Sequence, residues 1–544
     1  MSFSDAVQWW EEWQLRVRVL TSLFIQFFLS YSAPLRKYRI PPWFRFFIWL
    51  AYLGGDAMAI YALASLFNRH KTGGAVSKQS HSTGLEALWA PILLVHLGGK
   101  DSITAYNVED NELWRRHVLT ALSQPWALKN ASINSLVSSS STNEDDNAGD
   151  ISSLENIVQA ATEYLRAGLE NQQPPEQIVG DKPYDIFIDI APPFSERLNN
   201  LKCMVHANGN EAHRLLKSGL SRAFDRLYNK DQVSPGYLAR NRKHSWFRKL
   251  ATLLVCKDYL DQLWCMKPCK SSSDITAIVH DHVRDAWKKH VIVDVSTYRD
   301  FHDIRGQWAL ERWGLLDILG PSLQRPFDES VLLWHLATDF CFYSTDASCT
   351  SSSHSQHTIA ARDLSRKISN YMMYLLFVNP EMLMAGARRN LFRAAYCELK
   401  DLLKDNEGPP LNARKLTGKI VEDLKKVSCP QEQTPSASRQ HFVPCAYWEV
   451  AKPLLSIKDE EKMWLAIQGV WVEMLCFSAR RCRGYLHAKS LGKGGEYLSY
   501  VWLLQLYMGM ETSAEILQRT RLQQEGTASA TPTRPTNTVG DNNV

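Results

Sequence analysis

Residues able to do chemistry are sparse in this chain and fall into a few groups. Asp56 stands in the middle of an apolar run, directly behind Gly54 and Gly55, and His96 and Asp101 follow in the next apolar stretch. An ionised carboxylate at the centre of a lipid-embedded helix costs about 2.5 to 3.5 kcal/mol on insertion scales, so Asp56, His96 and Asp101 form a candidate intramembrane polar set for a proton or ion path. The plainer and preferred reading is a protonated or hydrogen-bonded Asp56 that locks helix packing beside small residues. His335 and Asp339 in VLLWHLATDF are four apart and share a helix face. They have the residue types of an acid/base couple or half a metal site. No third partner at an informative spacing accompanies them, and two buried polar side chains satisfying each other is the simpler account.

Cys265 and Cys269, followed by His280 and His282, have the donor types of a zinc site. Histidines two apart on a helix point about 200° from each other, so the spacing fails, and neither a metal nor a cofactor is assigned. Gly492-Lys493-Gly494-Gly495 fits no G-x-x-x-x-G-K-[ST] frame, and its ordinary role is to end one helix and start the next. Around that loop, Arg480, Arg481, Arg483, His487, Lys489 and Lys493 form a candidate patch for anionic lipid headgroups. A second basic cluster, Arg240, Arg242, Lys243, Arg248 and Lys249, is interleaved with Trp246 and Phe247. Solvated helix faces account for both clusters as well. No residue is assigned as catalytic, and the weight is against an enzyme.

Two runs are apolar enough to meet a bilayer: VRVLTSLFIQFFLSYS from Val17 and FFIWLAYLGGDAMAIYALASLF from Phe46. At about 1.5 Å per residue the second is long enough for a hydrocarbon core of about 30 Å. Spans are therefore expected near 17–34 and 46–67, with a third candidate over 85–106, interrupted by Pro91. The link APLRKYRIPPWFR carries Arg36, Lys37, Arg39 and Arg45 and reads as a short cytoplasmic turn, with Tyr38 and Trp43 at headgroup depth. With three spans, the N-terminus lies outside and the long C-terminal part in the cytosol. The Asn130 sequon then stays unused.

The remainder is mostly α. The membrane-anchoring region covers 1–128 and a disordered linker 129–153, followed by a central helical region over 154–344, a loop at 345–358 and a helical segment with flexible linkers at 359–440. A C-terminal helical hairpin occupies 441–520, built from Lys462 to Arg483 and Glu496 to Arg519, and a disordered tail ends the chain at 521–544. Helices are expected at Leu154 to Leu165, Glu211 to Tyr228, Trp246 to Met266, Asp274 to His290 and Ser330 to Tyr343. KPYDIFIDIAPP is the one strand-like alternation. A net charge of +5 over 544 residues is too small for a dedicated nucleic-acid binder, and 11 scattered cysteines fit reduced thiols. The expected partners are the bilayer, anionic headgroups and proteins of unidentified kind.

Several blocks carry a family resemblance. APLRKYRIPPWFR, LAYLGGDAMAIYAL, LWAPILLVHLGG and NVEDNELWRRH resemble the plant membrane proteins that carry domain of unknown function 4220, and WVEMLCFSARRCRGYLHAKSLGKGGEYLSYVWLL resembles the accompanying domain of unknown function 594. The resemblance implies a multi-pass membrane architecture and no mechanism. The chain departs from that family where Gln124 abuts Pro125 and where Lys230 comes five residues before Pro235, sites at which family members carry further hydrophobic segments.

Overall fold

The computed structural model describes residues 3–37, 40, 42–73, 150–166, 187, 194–228, 271–288, 292–345, 356–388, 390–391, 395 and 442–511. Among them the secondary structure is helical. Two long helices come first, α1 (Phe3–Ser32) and α2 (Pro42–Gly73), joined through a 3-10 turn at Pro34–Lys37. Pro42 opens α2 at a position where its missing N–H would have no intrahelical acceptor and its fixed φ suits the first turn. The expected 17–34 and 46–67 stretches fall on these two helices, and α1 runs back as far as Phe3.

The hairpin is apolar outward. Its inner face is small, built on Leu29, Ala33 and Ile48. Exposed large apolar side chains are Trp13, Val17, Leu20, Phe24, Phe27 and Tyr31 on α1, and Trp43, Phe46, Phe47, Trp49, Leu50, Leu53, Ile60 and Tyr61 on α2; elsewhere among the described residues only Ile318 and Ile359 join them. Among the described residues no helix is long and apolar enough to cross a membrane. The Phe46–Phe67 run is described only in part, the side chain of Asp56 being among those left outside.

The body begins with α3 (Asp150–Arg166), α4 (Phe194–His206), α5 (Gly209–Tyr228) and α6 (Ser272–Lys288). Short helices α7 (Val295–Asp303), α8 (Gln307–Arg312) and α9 (Leu316–Gln324) follow, then α10 (Phe327–Thr345), α11 (Gln356–Val378) and α12 (Pro380–Leu383). The chain closes with α13 (Phe442–Leu455), α14 (Glu460–Arg481), α15 (Gly484–Leu491) and α16 (Tyr497–Tyr507). The helices expected from Leu154, Glu211, Asp274 and Ser330 are α3, α5, α6 and α10. The one expected at Trp246 to Met266 lies outside the described residues, as do the linker, the tail and most of KPYDIFIDIAPP. The strand expected there is corrected at its one described residue: Phe187 is helical and buried, its ring 5.1 Å from that of Trp502.

The C-terminal hairpin also differs from expectation. Its described residues hold four helices, α13 to α16, with α15 lying between the two that were expected, and it does not stand apart. Described parts of 154–344, 359–440 and 441–520 share one hydrophobic core that extends from Val158 to Met510. The physical reason is α14. Val470, Trp471, Val472, Cys476 and Phe477 point to different sides of it and all are buried, and a helix buried all round needs neighbours all round. It packs against α11, α16, α8 and α12. Asp459 caps its start by accepting from the N–H groups of Glu461 and Lys462, with acids in the first turn and Arg480 and Arg481 in the last. Trp464, Trp471, Leu475, Trp502 and Leu506, expected as a common core, are all buried. Trp471 donates its indole N–H to Thr338 Oγ1 at 3.0 Å on α10, so the ring is buried without an orphaned donor.

Glu473 shows how the body tolerates a carboxylate in its centre. Its Oε2 accepts from the Gly306 N–H at 2.8 Å and its Oε1 from the Ala309 N–H at 2.7 Å, which caps the start of α8 from another helix. Gly306 takes φ +130°, a conformation side chains rarely adopt, and a Cβ there would lie 2.9 Å from Leu323. Gly469, one turn before Glu473, permits the close approach: its Cβ would fall 2.7 Å from that of Ala309.

Candidate functional site

His335 and Asp339 share a face of α10, but each is engaged by α11. His335 Nδ1 lies 2.8 Å from Ser369 Oγ, while Asp339 accepts from Arg366 Nε at 3.1 Å. Arg366 also donates to the Tyr343 hydroxyl and stacks over Phe342, 4.0 Å from the ring centroid. Burial pushes the His335 imidazole below its ordinary pKa; the Asp339 carboxylate opposes this and Arg366 adds to it. A neutral histidine bonded to a serine and an aspartate neutralised by arginine make a satisfied polar seam between two helices. Ser369 and Arg366 were missed in the sequence reading. Their i, i+3 spacing on α11, facing an i, i+4 pair on α10, was the available signal.

The histidines of the zinc-like motif separate as their spacing requires. His280 is buried and bonds through Nε2 to the Met204 carbonyl at 2.7 Å, on α4. His282 stacks on Phe301 and packs on Trp308, from α7 and α8. Burial, then Arg480 and Arg312, brings its pKa down to about 3. Among the described residues no group of three metal-ligating side chains converges. Cys265, Cys269, His96, Asp101 and the cluster from Arg240 to Lys249 lie outside the described residues.

The candidate headgroup patch is divided by the fold, which corrects its membership. Arg480 is buried, donating Nη2 to the Phe301 carbonyl at 3.3 Å with its guanidinium 5.5 Å from that ring centroid. Arg481 pairs with Asp303. His487 is wholly buried, stacked at 4.5 Å on Trp502 with Nδ1 3.0 Å from Ser499 Oγ, and desolvation brings its pKa down to about 3. The reason is local: Arg480 and Arg481 are turned about 100° from each other on α14, and after Cys482 the chain turns at Arg483 into α15, which carries His487 inward. Arg481 and Arg483 stay exposed, and of the two lysines Lys493 is exposed and Lys489 half-buried.

These two lysines lie where the α1–α2 hairpin meets the body. Arg45, in the first turn of α2, donates Nη2 to the Lys493 carbonyl at 2.9 Å. Lys37 pairs with Asp225 on α5 at 2.6 Å and donates to Ser221 at 3.2 Å. Arg36 is buried over the Tyr228 ring, 5.1 Å from its centroid, and Tyr228 donates its hydroxyl proton to the Ala488 carbonyl at 3.0 Å. Gly492 makes room for Tyr228, since a Cβ there would fall 2.7 Å from the ring. The Gly-rich loop has the ordinary role expected of it. Gly494 and Gly495 take φ +96° and +75°, and the Gly495 N–H returns to the Ser490 carbonyl at 2.9 Å, ending α15 before α16 begins. The basic link thus serves as a docking element, three of its cations engaging α5 and the α15–α16 loop.

Two family models match parts of the chain. Residues 49–143 match the family model described as Domain of unknown function (DUF4220), and residues 456–510 match Protein of unknown function, DUF594. The DUF4220 match takes in α2 from Trp49 onward, and the DUF594 match runs from the end of α13 through α14, α15 and α16. No curated protein and no solved structure matches the chain.

Proposed function

We propose that the protein is a membrane-anchored helical scaffold, its α1–α2 hairpin embedded in a bilayer as part of a multi-pass anchor and its body serving as a cytosolic interaction surface. The observation that carries this reading is the placement of exposed large apolar side chains. Among the described residues, fourteen of the sixteen lie on α1 and α2, too many on two helices to be scattered single residues. Aromatic residues cluster at the start of α2, where Trp43, Phe46, Phe47 and Trp49 pack edge to face or tilted, as side chains suited to a headgroup layer do.

The docked turn supports placing the body on the same side as the basic link. Lys37 and Arg45 hold the 33–45 connection against α5 and the α15–α16 loop, so turn and body share a compartment. A basic connection favours the cytosolic side. This placement requires one return crossing before α3, and in the sequence 85–106 is the apolar stretch available for it. The contacts of His335 with Ser369 and of Asp339 with Arg366 favour a structural role for that pair over the alternative enzyme reading.

Carbonate extraction of the full-length chain is the test. Retention in the membrane pellet is expected, and retention that weakens when Phe24 and Phe27 are both changed to lysine would tie it to the exposed α1 face. Recovery of most of the wild-type chain in the carbonate supernatant would refute the anchor.

A further inference from the structure

We propose that Arg45, Lys489 and Lys493 form a binding site for the phosphate of an anionic phospholipid headgroup, at the elbow where α2 leaves the helical body. This inference rests on the membrane reading above and gives it a chemical specificity. Three observations converge.

First, the three cations come from three parts of the fold, the first turn of α2, the last turn of α15 and the α15–α16 loop, and the Arg45 bond to the Lys493 backbone carbonyl fixes the guanidinium on the loop that carries Lys493. Lys489 and Arg45 are close enough to Lys493 to act on it electrostatically. Desolvation comes first in pushing the Lys493 ammonium below its ordinary pKa, the two neighbouring cations add to that, and Glu381 and Glu496 oppose it. Glu496 Oε1 also accepts from the Tyr374 hydroxyl at 2.9 Å and from Asn379 Nδ2 at 3.1 Å. Like charges gathered this way are stabilised by an anion.

Second, the site borders the apolar hairpin. Trp43, Phe46 and Phe47 are exposed within two residues of Arg45, so a phosphate at the cations would have acyl chains lying along α2. A soluble anion has no use for that adjacency. Third, the loop that presents Lys493 is set by Gly494 and Gly495 at positive φ and by Gly492 against Tyr228, so its shape is built into the backbone. Guanidinium and ammonium donors at the edge of an aromatic-rich helix suit a phosphodiester.

The test uses full-length protein in neutral-detergent micelles, titrated separately with phosphatidylserine, phosphatidylcholine and inorganic phosphate. Native mass spectrometry reads retained lipid and thermal unfolding reads stabilisation. Phosphatidylserine should be retained over phosphatidylcholine. The double variant Lys489→Gln/Lys493→Gln should weaken that retention on the order of 30-fold, from about fivefold for each lysine near an anionic surface. The charge-keeping pair Lys489→Arg/Lys493→Arg should retain it, and so should Lys452→Gln on α13. Equal retention of the two lipids, or no loss in the double glutamine variant, would overturn the site. Stabilisation by inorganic phosphate equal to that by the lipid would overturn the lipid as its source. A chain that resists carbonate extraction but fails this titration keeps its anchor and loses only the site.

Discussion

Glu473 offers the sharpest test of how the body is assembled. Replacing it with alanine leaves the N–H groups of Gly306 and Ala309 without acceptors in a dry interior. Each such group costs about 1 to 3 kcal/mol, so Glu473→Ala should destabilise by roughly 2 to 6 kcal/mol before any cavity is counted. Glu473→Gln keeps one carbonyl oxygen but turns an amide NH2 toward the other N–H, and should cost about 1 to 3 kcal/mol. The expected order is therefore wild type, glutamine, alanine. Protonation adds an independent signature. Desolvation is the largest influence on Glu473 and raises its pKa to about 8, against opposing N–H donors and Arg480. The folded-state value lies above the unfolded one, so between pH 4.5 and 8 the folded chain holds a proton that the unfolded chain has released. Stability should then fall as pH rises through that window, by up to about 1.4 kcal/mol per pH unit, and the glutamine variant should lack this component. Urea unfolding of the full-length protein in detergent, followed by tryptophan fluorescence from pH 5 to pH 8, measures both effects. An alanine variant within about 0.5 kcal/mol of wild type would refute the capping role.

Two further outcomes follow from close packing and burial. Gly469→Ala should drive α8 off α14 and destabilise the body by about 1 to 3 kcal/mol, with Ala309→Gly in the same chain restoring part of the loss; a neutral single variant in the same unfolding assay would show that the helices do not meet there. Burial pushes the Cys341 thiol up to about 12 and the Cys476 thiol up to about 11, so both should resist iodoacetamide at pH 8 until the chain is unfolded, while half-buried Cys203 labels earlier, as site-resolved mass spectrometry would report.

Much of this protein was legible without coordinates because it depends on local pattern. The 3.6-residue spacing of apolar side chains located α5, α6 and α10, and the two-residue separation of His280 and His282 put them on different faces of α6. Glycines at 492, 494 and 495 marked a helix end. The apolar outer surface of α1 and α2 was present in their composition alone. What periodicity does not carry is the partner across space. Glu473 reads as an interruption of an apolar run until α8 brings two N–H groups to it, 164 and 167 residues away in sequence. Arg480 and His487 look like members of a basic surface until packing of α14 against Phe301 and of α15 against Trp502 buries them. Arg45 and Lys493 are 448 residues apart and meet only because Tyr228, Gly492 and Asp225 fix the hairpin turn against the body. Helix formation is dictated by neighbours a few residues away, whereas the environment of a charge is dictated by whatever packs against it, and only the tertiary structure decides that.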